Sequence, residues 1–173
     1  MKIVPVADID AGIVEALLDR AFGADRRGRT AYLLRAGTLP IAPLSLAAVE
    51  ADQVIGTIQC WPVELTGDDG IVTPMIMVGP VAVEPTRQQA GIGRLLMEAM
   101  LAVDARTIVG GDAMMLIGDP EYYGRFFGFV ADRTGKWRLP GPFERRRLLA
   151  RGDAVPTGAG LVAPRIALAA VTG

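Results

Sequence analysis

Apolar positions change period several times along the chain, and each change marks an element. From Ile92 to Val103 the apolar residues Ile92, Leu95, Leu96, Ala99, Met100 and Val103 recur at i, i+3, i+4 and i+7, so they form one stripe along one face of a helix. A stripe of this kind calls for a sheet beneath it. Just upstream, Val81-Ala82-Val83 is a β-branched run, and Pro85 with Thr86 stops that strand and bends the chain towards the helix. The connecting residues, Gln88-Gln89-Ala90-Gly91-Ile92-Gly93, form a turn and the first helical positions.

The remaining pattern is organised around this strand, turn and helix. Residues 2 to 7 read as a strand that Pro5 confines to an edge or an irregular end. Asp8 or Asp10 can cap a following helix whose apolar face is Ile13, Ala16, Leu17 and Ala21, with Gly23 ending it. A second helix is expected from about Asp25 to Gly37. Its Arg26, Arg27, Arg29 and Arg35 read as a solvated face, the alternative being that some of them line a substrate or coenzyme entrance. The runs LSLAAVE and QVIGTIQCWPVEL, joined by Ala51-Asp52, read as a hairpin, with a bend at Trp61-Pro62 and Trp61 in core or rim packing. The run IVTPMIMVGPVAV is a strand interrupted by Pro74 and Gly79-Pro80, since proline has no N–H to give a ladder.

Downstream, Asp112 to Ile117 is an apolar strand that a helical crossover sets parallel to the preceding one. A helix, PEYYGRFF, follows with Asp119 as its cap and Pro120 at its first position, and Gly128-Phe129-Val130 returns as a strand. Lys136 to Leu139 suggests a strand and Glu144 to Ala150 a short helix with Arg145, Arg146 and Arg147 on its polar face. Arg165 to Val171 reads as an edge strand that could pair across a homodimer. No repeat or linker divides the chain, so residues 1–173 are expected to be a single domain.

Composition narrows the chemistry. A domain of 173 residues buries roughly 70% of its unfolded surface, enough for a core without disulfides. The 18 basic and 19 acidic residues give no general field for nucleic acid or a membrane surface. No apolar run is long enough to span a bilayer, and a cytoplasmic protein is expected. The sequence contains no histidine, which excludes Ser-His-Asp and Cys-His devices and His-bearing zinc sites. Proton transfer then falls to Asp, Glu, Tyr, Lys, Cys, the backbone or water. Cys60, without an imidazole to activate it, reads as a small core residue.

N–H groups at a helix N-terminus lack intrahelical partners and carry the positive end of the helix dipole, so the turn before Ile92 can hold a phosphate. Gly91 and Gly93 allow a ligand to approach the backbone there. Three patterns compete. A Walker loop needs a Lys after its glycine, and none follows. The dinucleotide fingerprint needs a third glycine where Leu96 stands, although Asp112 lies near the distance expected of a ribose-binding acid. The third pattern, QxxGxG between strand and helix, is carried by Gln88, Gly91 and Gly93 and resembles the pyrophosphate turn of the GNAT superfamily of N-acetyltransferases. An ordinary strand-to-helix turn would also use such residues.

A second stretch supports that resemblance. GDPEYYGRFFGFV is similar to the strand, short helix and Gly-Phe turn near the end of GNAT domains, where a tyrosine points its hydroxyl at the coenzyme sulfur. The segments DRRGRTAYLLR, GPVAVEP and GDPEYYGRF are similar to the bacterial YhbS-like predicted acetyltransferases. There is one departure. In most members the tyrosine stands four residues before the Gly-Phe pair, a place taken here by Gly124. Tyr123 is one residue further away, so either a one-residue bulge restores the register or the acid role passes elsewhere.

The resemblance implies a GNAT-like α/β (α+β) fold: a mixed, mostly antiparallel sheet with a splayed parallel strand pair and flanking helices. It implies acetyl-CoA as co-substrate, no metal, and transfer to a primary amine of a small molecule or peptide. In that reading backbone N–H groups of Gln88, Gln89, Ala90, Gly91, Ile92, Gly93 and Arg94 hold the pyrophosphate, and the Val81, Ala82 and Val83 backbone holds the pantetheine arm. The Val81 amide polarises the thioester, and Tyr123, preferred over Tyr122, protonates the leaving sulfur. Glu84, the nearest acid to the strand end, could take the amine proton through water. The alternatives are a non-catalytic acyl-CoA-binding or regulatory module, favoured by the shifted tyrosine, and an NAD-dependent dehydrogenase, opposed by Leu96.

Overall fold

The structure is a computed structural model that describes residues 1–166. Its strands are β1 (Lys2–Pro5), β2 (Leu46–Glu50), β3 (Gln53–Gly67), β4 (Val72–Val83), β5 (Met114–Ile117), β6 (Trp137–Arg138), β7 (Leu148–Arg151) and β8 (Gly160–Pro164). Its α-helices are α1 (Ala11–Phe22), α2 (Thr30–Leu33), α3 (Ile92–Leu101) and α4 (Pro120–Phe127). The strands are hydrogen-bonded in the order β1-β2-β3-β4-β5-β7, and β8 pairs with both β3 and β6. The β1–β2, β2–β3, β3–β8 and β5–β7 ladders are antiparallel, whereas β4–β5 and the short β6–β8 ladder are parallel. The β4–β5 ladder joins Ile76 to Met114 and Met77 to Met115, while β4 itself continues to Val83. This is the mixed, mostly antiparallel sheet expected. No helix among the described residues is long and apolar enough to cross a membrane.

The residues gather into two compact units interleaved along the chain. The first comprises Met1–Gly28, Pro40–Cys60 and Val78–Asp104; the second comprises Arg29–Leu39, Trp61–Met77 and the described residues from Ala105 onward. Each has its own apolar cluster.

In the first unit, Asp10 caps α1 by accepting the Gly12 N–H at 2.8 Å, and Gly23, at φ 89°, ends the helix. The buried face of α1 differs from the expected one. Val14, Leu17 and Leu18 are buried with Val6, Ala47 and Ala82, with Ala21 packed against them, whereas Ile13 is 49% exposed. Val14, Leu17, Leu18 and Ala21 are also spaced i, i+3, i+4 and i+7, so two stripes overlap in this sequence and packing selects between them. The hairpin turn is as expected, with Ala51 at φ 50° and Asp52 at φ 60°, both left-handed as a tight two-residue hairpin loop requires. In α3 the buried residues are Ile92, Leu96, Met97 and Met100, and Leu95 turns outward at 42% exposure. The helix lies against β3 at Gly56, where an added Cβ would come within 2.8 Å of Ile92 and 3.1 Å of Leu96.

Arg26 belongs to this unit and is not on a solvated face. It is buried, and its guanidinium bonds Asp19 at 2.9 Å and also Glu15. The single long helix expected from Asp25 to Gly37 is instead a 3-10 turn at Ala24–Gly28 and, after Arg29 in extended conformation (ψ 150°), the separate helix α2. Gly28 and the extended Arg29 break the helical register.

In the second unit, Arg35 is also drawn off the solvated face, its guanidinium carbon lying 4.5 Å from the Tyr32 ring centroid and 4.3 Å from that of Trp61. Trp61, Val63, Leu65, Met75, Met77, Met115, Trp137, Leu148 and Ala150 form the core cluster, which confirms Trp61 as a packing residue. β3 runs without interruption through Pro62, and β4 through Pro74 and the cis Gly79–Pro80 peptide, so the expected bend and breaks do not divide these strands. The expected helix from Glu144 to Ala150 is a 3-10 turn at Arg145–Arg147 followed by β7, because Leu148, Leu149 and Ala150 are all buried and pair with β5. Arg145 donates to the carbonyls of Thr134, Gly135 and Trp137. The edge strand expected from Arg165 to Val171 falls largely outside the described residues. The last described strand, β8, pairs with β3.

Candidate functional site

The turn between β4 and α3 is built by local bonds. The Glu84 N–H donates to Ile55 O at 2.9 Å, which ties the end of β4 to β3. Pro85–Arg87 forms a 3-10 turn, with Arg87 N–H on Glu84 O at 2.8 Å and Ala90 N–H on Arg87 O at 3.2 Å. Gly91, at φ 76° and ψ 13°, is the N-cap of α3, and Leu95 N–H returns to its carbonyl at 3.1 Å. No side chain caps this helix. Helix geometry leaves the N–H groups of Ile92 and Gly93 without intrahelical acceptors.

Access to those groups is open. Gln88, Gln89, Ala90 and Gly91 are exposed, and a Cβ built on Gly91 would meet nothing within 4 Å. Ile92 is buried and anchors the turn to the core, while Arg94 is exposed and bonds Glu98 at 2.9 Å. Gly93 has a different role: a Cβ there would stand 3.6 Å from Val83 and 3.7 Å from Val81, so it faces the end of β4. Val81 and Val83 thus point towards α3, and Ala82 between them is buried with α1. The two faces of this strand end are therefore assigned.

Glu84 is less free than a strand-end acid would be. Arg20 Nη2 bonds its Oε2 at 2.8 Å, and Arg20 Nε reaches both carboxylate oxygens at 3.2 Å. The sequence held no signal for this partner, 64 positions away.

In the second unit, α4 forms as expected: Asp119 accepts the Glu121 N–H at 3.0 Å, and Pro120 takes the first helical position. The Tyr123 ring lies over Gly118, where an added Cβ would come within 2.6 Å of it. Tyr122 meets Tyr123 edge-on at 5.0 Å between centroids and packs near Phe126 and Phe127. Burial, first, and then Tyr122 push the Tyr123 phenol above its ordinary value, with Arg147 opposing. The hydroxyl therefore keeps its proton at neutral pH.

The extra residue between Tyr123 and the Gly-Phe pair has a visible structure. Gly128, at φ 72°, donates to both Gly124 O and Tyr123 O, and Phe129 N–H reaches Tyr123 O at 3.2 Å. The usual glycine-ended helix closes with a bond spanning six residues; this one spans seven. The additional residue is absorbed as a widened last turn, and Phe127 and Phe129 are both buried beyond it.

Cys60 is buried, and its thiol is pushed up to about 12, so it is no nucleophile at neutral pH. No group of His, Cys, Asp and Glu suited to a metal ion occurs among the described residues. Two polar residues that the sequence reading passed over stand out on β3: Thr57 and Gln59 are buried, and Thr57 Oγ1 and Gln59 Oε1 have no hydrogen-bond partner among the described residues. Their signal was present as polar residues inside the apolar run Val54 to Val63.

Comparison with known proteins gives the family. A family model described as an acetyltransferase (GNAT) domain matches residues 5–129. No curated protein matches the chain. A crystal structure of the GNAT family N-acetyltransferase YhbS from Escherichia coli in complex with CoA superposes with a TM-score of 0.72 at 28% identity, covering 95% of this chain and 89% of that one. A GNAT family acetyltransferase from Brucella melitensis in complex with acetyl-CoA gives a TM-score of 0.67 at 28% identity, covering 95% of each chain. A GCN5-related N-acetyltransferase from Kribbella flavida, at 22% identity and a TM-score of 0.52 over 75% of this chain and 33% of that one, shares the fold. The open glycine turn between strand and helix, the tyrosine helix and the match over most of the chain lead to one conclusion: this protein belongs to the GNAT family of acetyltransferases.

Proposed function

We propose that residues 1–173 act as one acetyltransferase domain that moves the acetyl group of acetyl-CoA to a primary amine by direct attack. The observation that carries this reading is the turn at Gly91, where a left-handed glycine and an unobstructed approach expose the first N–H groups of α3. The E. coli and Brucella proteins, with CoA and acetyl-CoA in their structures, support the choice of coenzyme.

In this mechanism the N–H groups from Gln88 to Arg94 bind the pyrophosphate, and the backbone of Val81, Ala82 and Val83 pairs with the amide groups of pantetheine. The neutral amine attacks the thioester carbonyl, whose developing oxyanion is held by a backbone N–H, that of Val81. The carbon–sulfur bond then breaks. Tyr123 gives its proton to the departing thiolate, and the amine proton leaves through water towards Glu84. Because Arg20 engages both Glu84 oxygens, that proton passes by way of solvent and not by direct contact. No covalent enzyme intermediate is needed, so the absence of histidine is no obstacle.

The test is release of free CoA thiol from acetyl-CoA in the presence of a panel of primary amines: an amino acid, a polyamine, an amino sugar and a lysine peptide. Amine-dependent thiol release is expected for at least one of them. The widened turn after Tyr123 favours one other reading, a non-catalytic acyl-CoA-binding module. Coenzyme binding with no release on any amine would establish that module and contradict catalysis.

A further inference from the structure

Thr57 and Gln59 stand two residues apart on β3, 0% and 4% exposed, and each has a buried oxygen with no hydrogen-bond partner among the described residues. Burying such an oxygen without a partner is costly, so a native protein keeps one where something else supplies the bond. Their position says what that is. In the β2–β3 ladder Thr57 faces Ala47, which packs with Val14, Leu17 and Leu18 of α1, so Thr57 lies on the α1 face of the sheet. Gln59, two residues on, shares that face. Gly56, between β3 and α3, points to the opposite one.

The register towards β4 is fixed at two points. Glu84 N–H donates to Ile55 O, and the Cys60 thiol is held by the backbone of Gly79. This antiparallel register sets Thr57 opposite Ala82 and Gln59 opposite Pro80. The two unpartnered oxygens therefore border the stretch of β4 assigned to the thioester, on the face away from α3 and its pyrophosphate turn. An amine that reaches the thioester from that face comes beside them.

We propose that Gln59 and Thr57 form the acceptor subsite, Gln59 Oε1 taking an N–H of the attacking amine and Thr57 Oγ1 a second donor on the same molecule. This rests on the acetyl-transfer reading. A neutral carboxamide suits the task, since it orients the amine without favouring the unreactive ammonium as a carboxylate would. Alternate residues of a strand stand about 7 Å apart, so the acceptor carries two N–H or O–H donors at about that spacing. A polyamine or an amino sugar has them; a simple alkylamine has only one.

The experiment compares wild type, Gln59→Met and Thr57→Val on spermidine, glucosamine and n-hexylamine, with acetyl-CoA affinity measured in parallel. Loss of one hydrogen bond is expected to lower kcat/KM by about tenfold, on all three amines in Gln59→Met, since the Gln59 oxygen takes the N–H of the attacking amine, and on spermidine and glucosamine but not n-hexylamine in Thr57→Val, with acetyl-CoA affinity kept in both. Gln59→Met is also expected to raise the unfolding midpoint of the free protein, because an unpartnered polar group leaves the interior. Unchanged turnover of the two-donor amines in either variant, an equal loss on all three amines in Thr57→Val, or a parallel loss of acetyl-CoA affinity would overturn the subsite. Should Gln59→Met fail to fold, Thr57→Val, which keeps the shape of the side chain, decides alone. A wild type that binds acetyl-CoA but acetylates none of the three amines would overturn the subsite as well, whereas a wild type that does not bind acetyl-CoA would refute the coenzyme reading itself.

Discussion

Gly91 meets two separate demands, a left-handed backbone and an approach free of side-chain atoms, and a substitution can be chosen that stresses the second. Gly91→Glu costs about 1 kcal/mol of backbone strain, so its unfolding midpoint falls only slightly. The new carboxylate stands beside the proposed pyrophosphate and should weaken acetyl-CoA binding by about tenfold or more in titration. Unchanged affinity would remove the turn from the coenzyme site. For Tyr123→Phe the expected result is intact binding with turnover lowered by roughly 10²–10⁴-fold, the range for a lost general acid. The pH profile gives a sharper reading. Because the Tyr123 phenol is raised above its ordinary value of 10.0, the acid form persists through neutral pH, and turnover should fall only as pH rises beyond 10. That alkaline limb should vanish in the Phe variant. Cys60, with its thiol near 12, should resist iodoacetamide at pH 8 in the native protein and react once the chain is unfolded. Stoichiometric labelling of native protein, read by mass spectrometry, would contradict its burial.

Among the elements, α4 was the most legible, because its cap Asp119, first residue Pro120 and closing Gly128 are all local signals and each stands where its chemistry places it. The strand, turn and helix around Gly91 were legible for the same reason. The buried face of α1 was not: two apolar stripes overlap there, and contacts with Ala47 and Ala82 choose between them. The stretch from Glu144 to Ala150 misled more strongly, since the expected short helix lost to pairing of Leu148 to Ala150 with β5, a partner more than 30 residues away. Arg26 and Arg35 looked solvated because the sequence shows neither the carboxylates nor the rings that hold them. Gly56 is the corresponding element-scale prediction. Gly56→Ala should destabilise the chain by about 1–3 kcal/mol, the usual cost of overpacking, because α3 must move away from β3. Denaturant unfolding measures it, and an unchanged midpoint would mean the helix lies less closely on the strand.

At the scale of the molecule, the order of most strands and helices within the family match was readable from local signals, the exceptions being Asp25 to Gly37, which is a 3-10 turn and a separate short helix, and Gly128 to Val130, where only Val130 bridges to Ala150. Of the proposed site, the backbone part, the QxxGxG turn, and Tyr123 were proposed from the sequence. Its side-chain part was not, since the Arg20 hold on Glu84 and the unpartnered oxygens of Thr57 and Gln59 arise only when distant segments meet. All of the proposed chemistry depends on one event, capture of acetyl-CoA at the start of α3. Calorimetric titration of the purified protein with acetyl-CoA, with NAD as the control, tests it directly. Saturable binding of acetyl-CoA in the micromolar range with none of NAD is the predicted result; absence of acetyl-CoA binding, or equal binding of both, would contradict it.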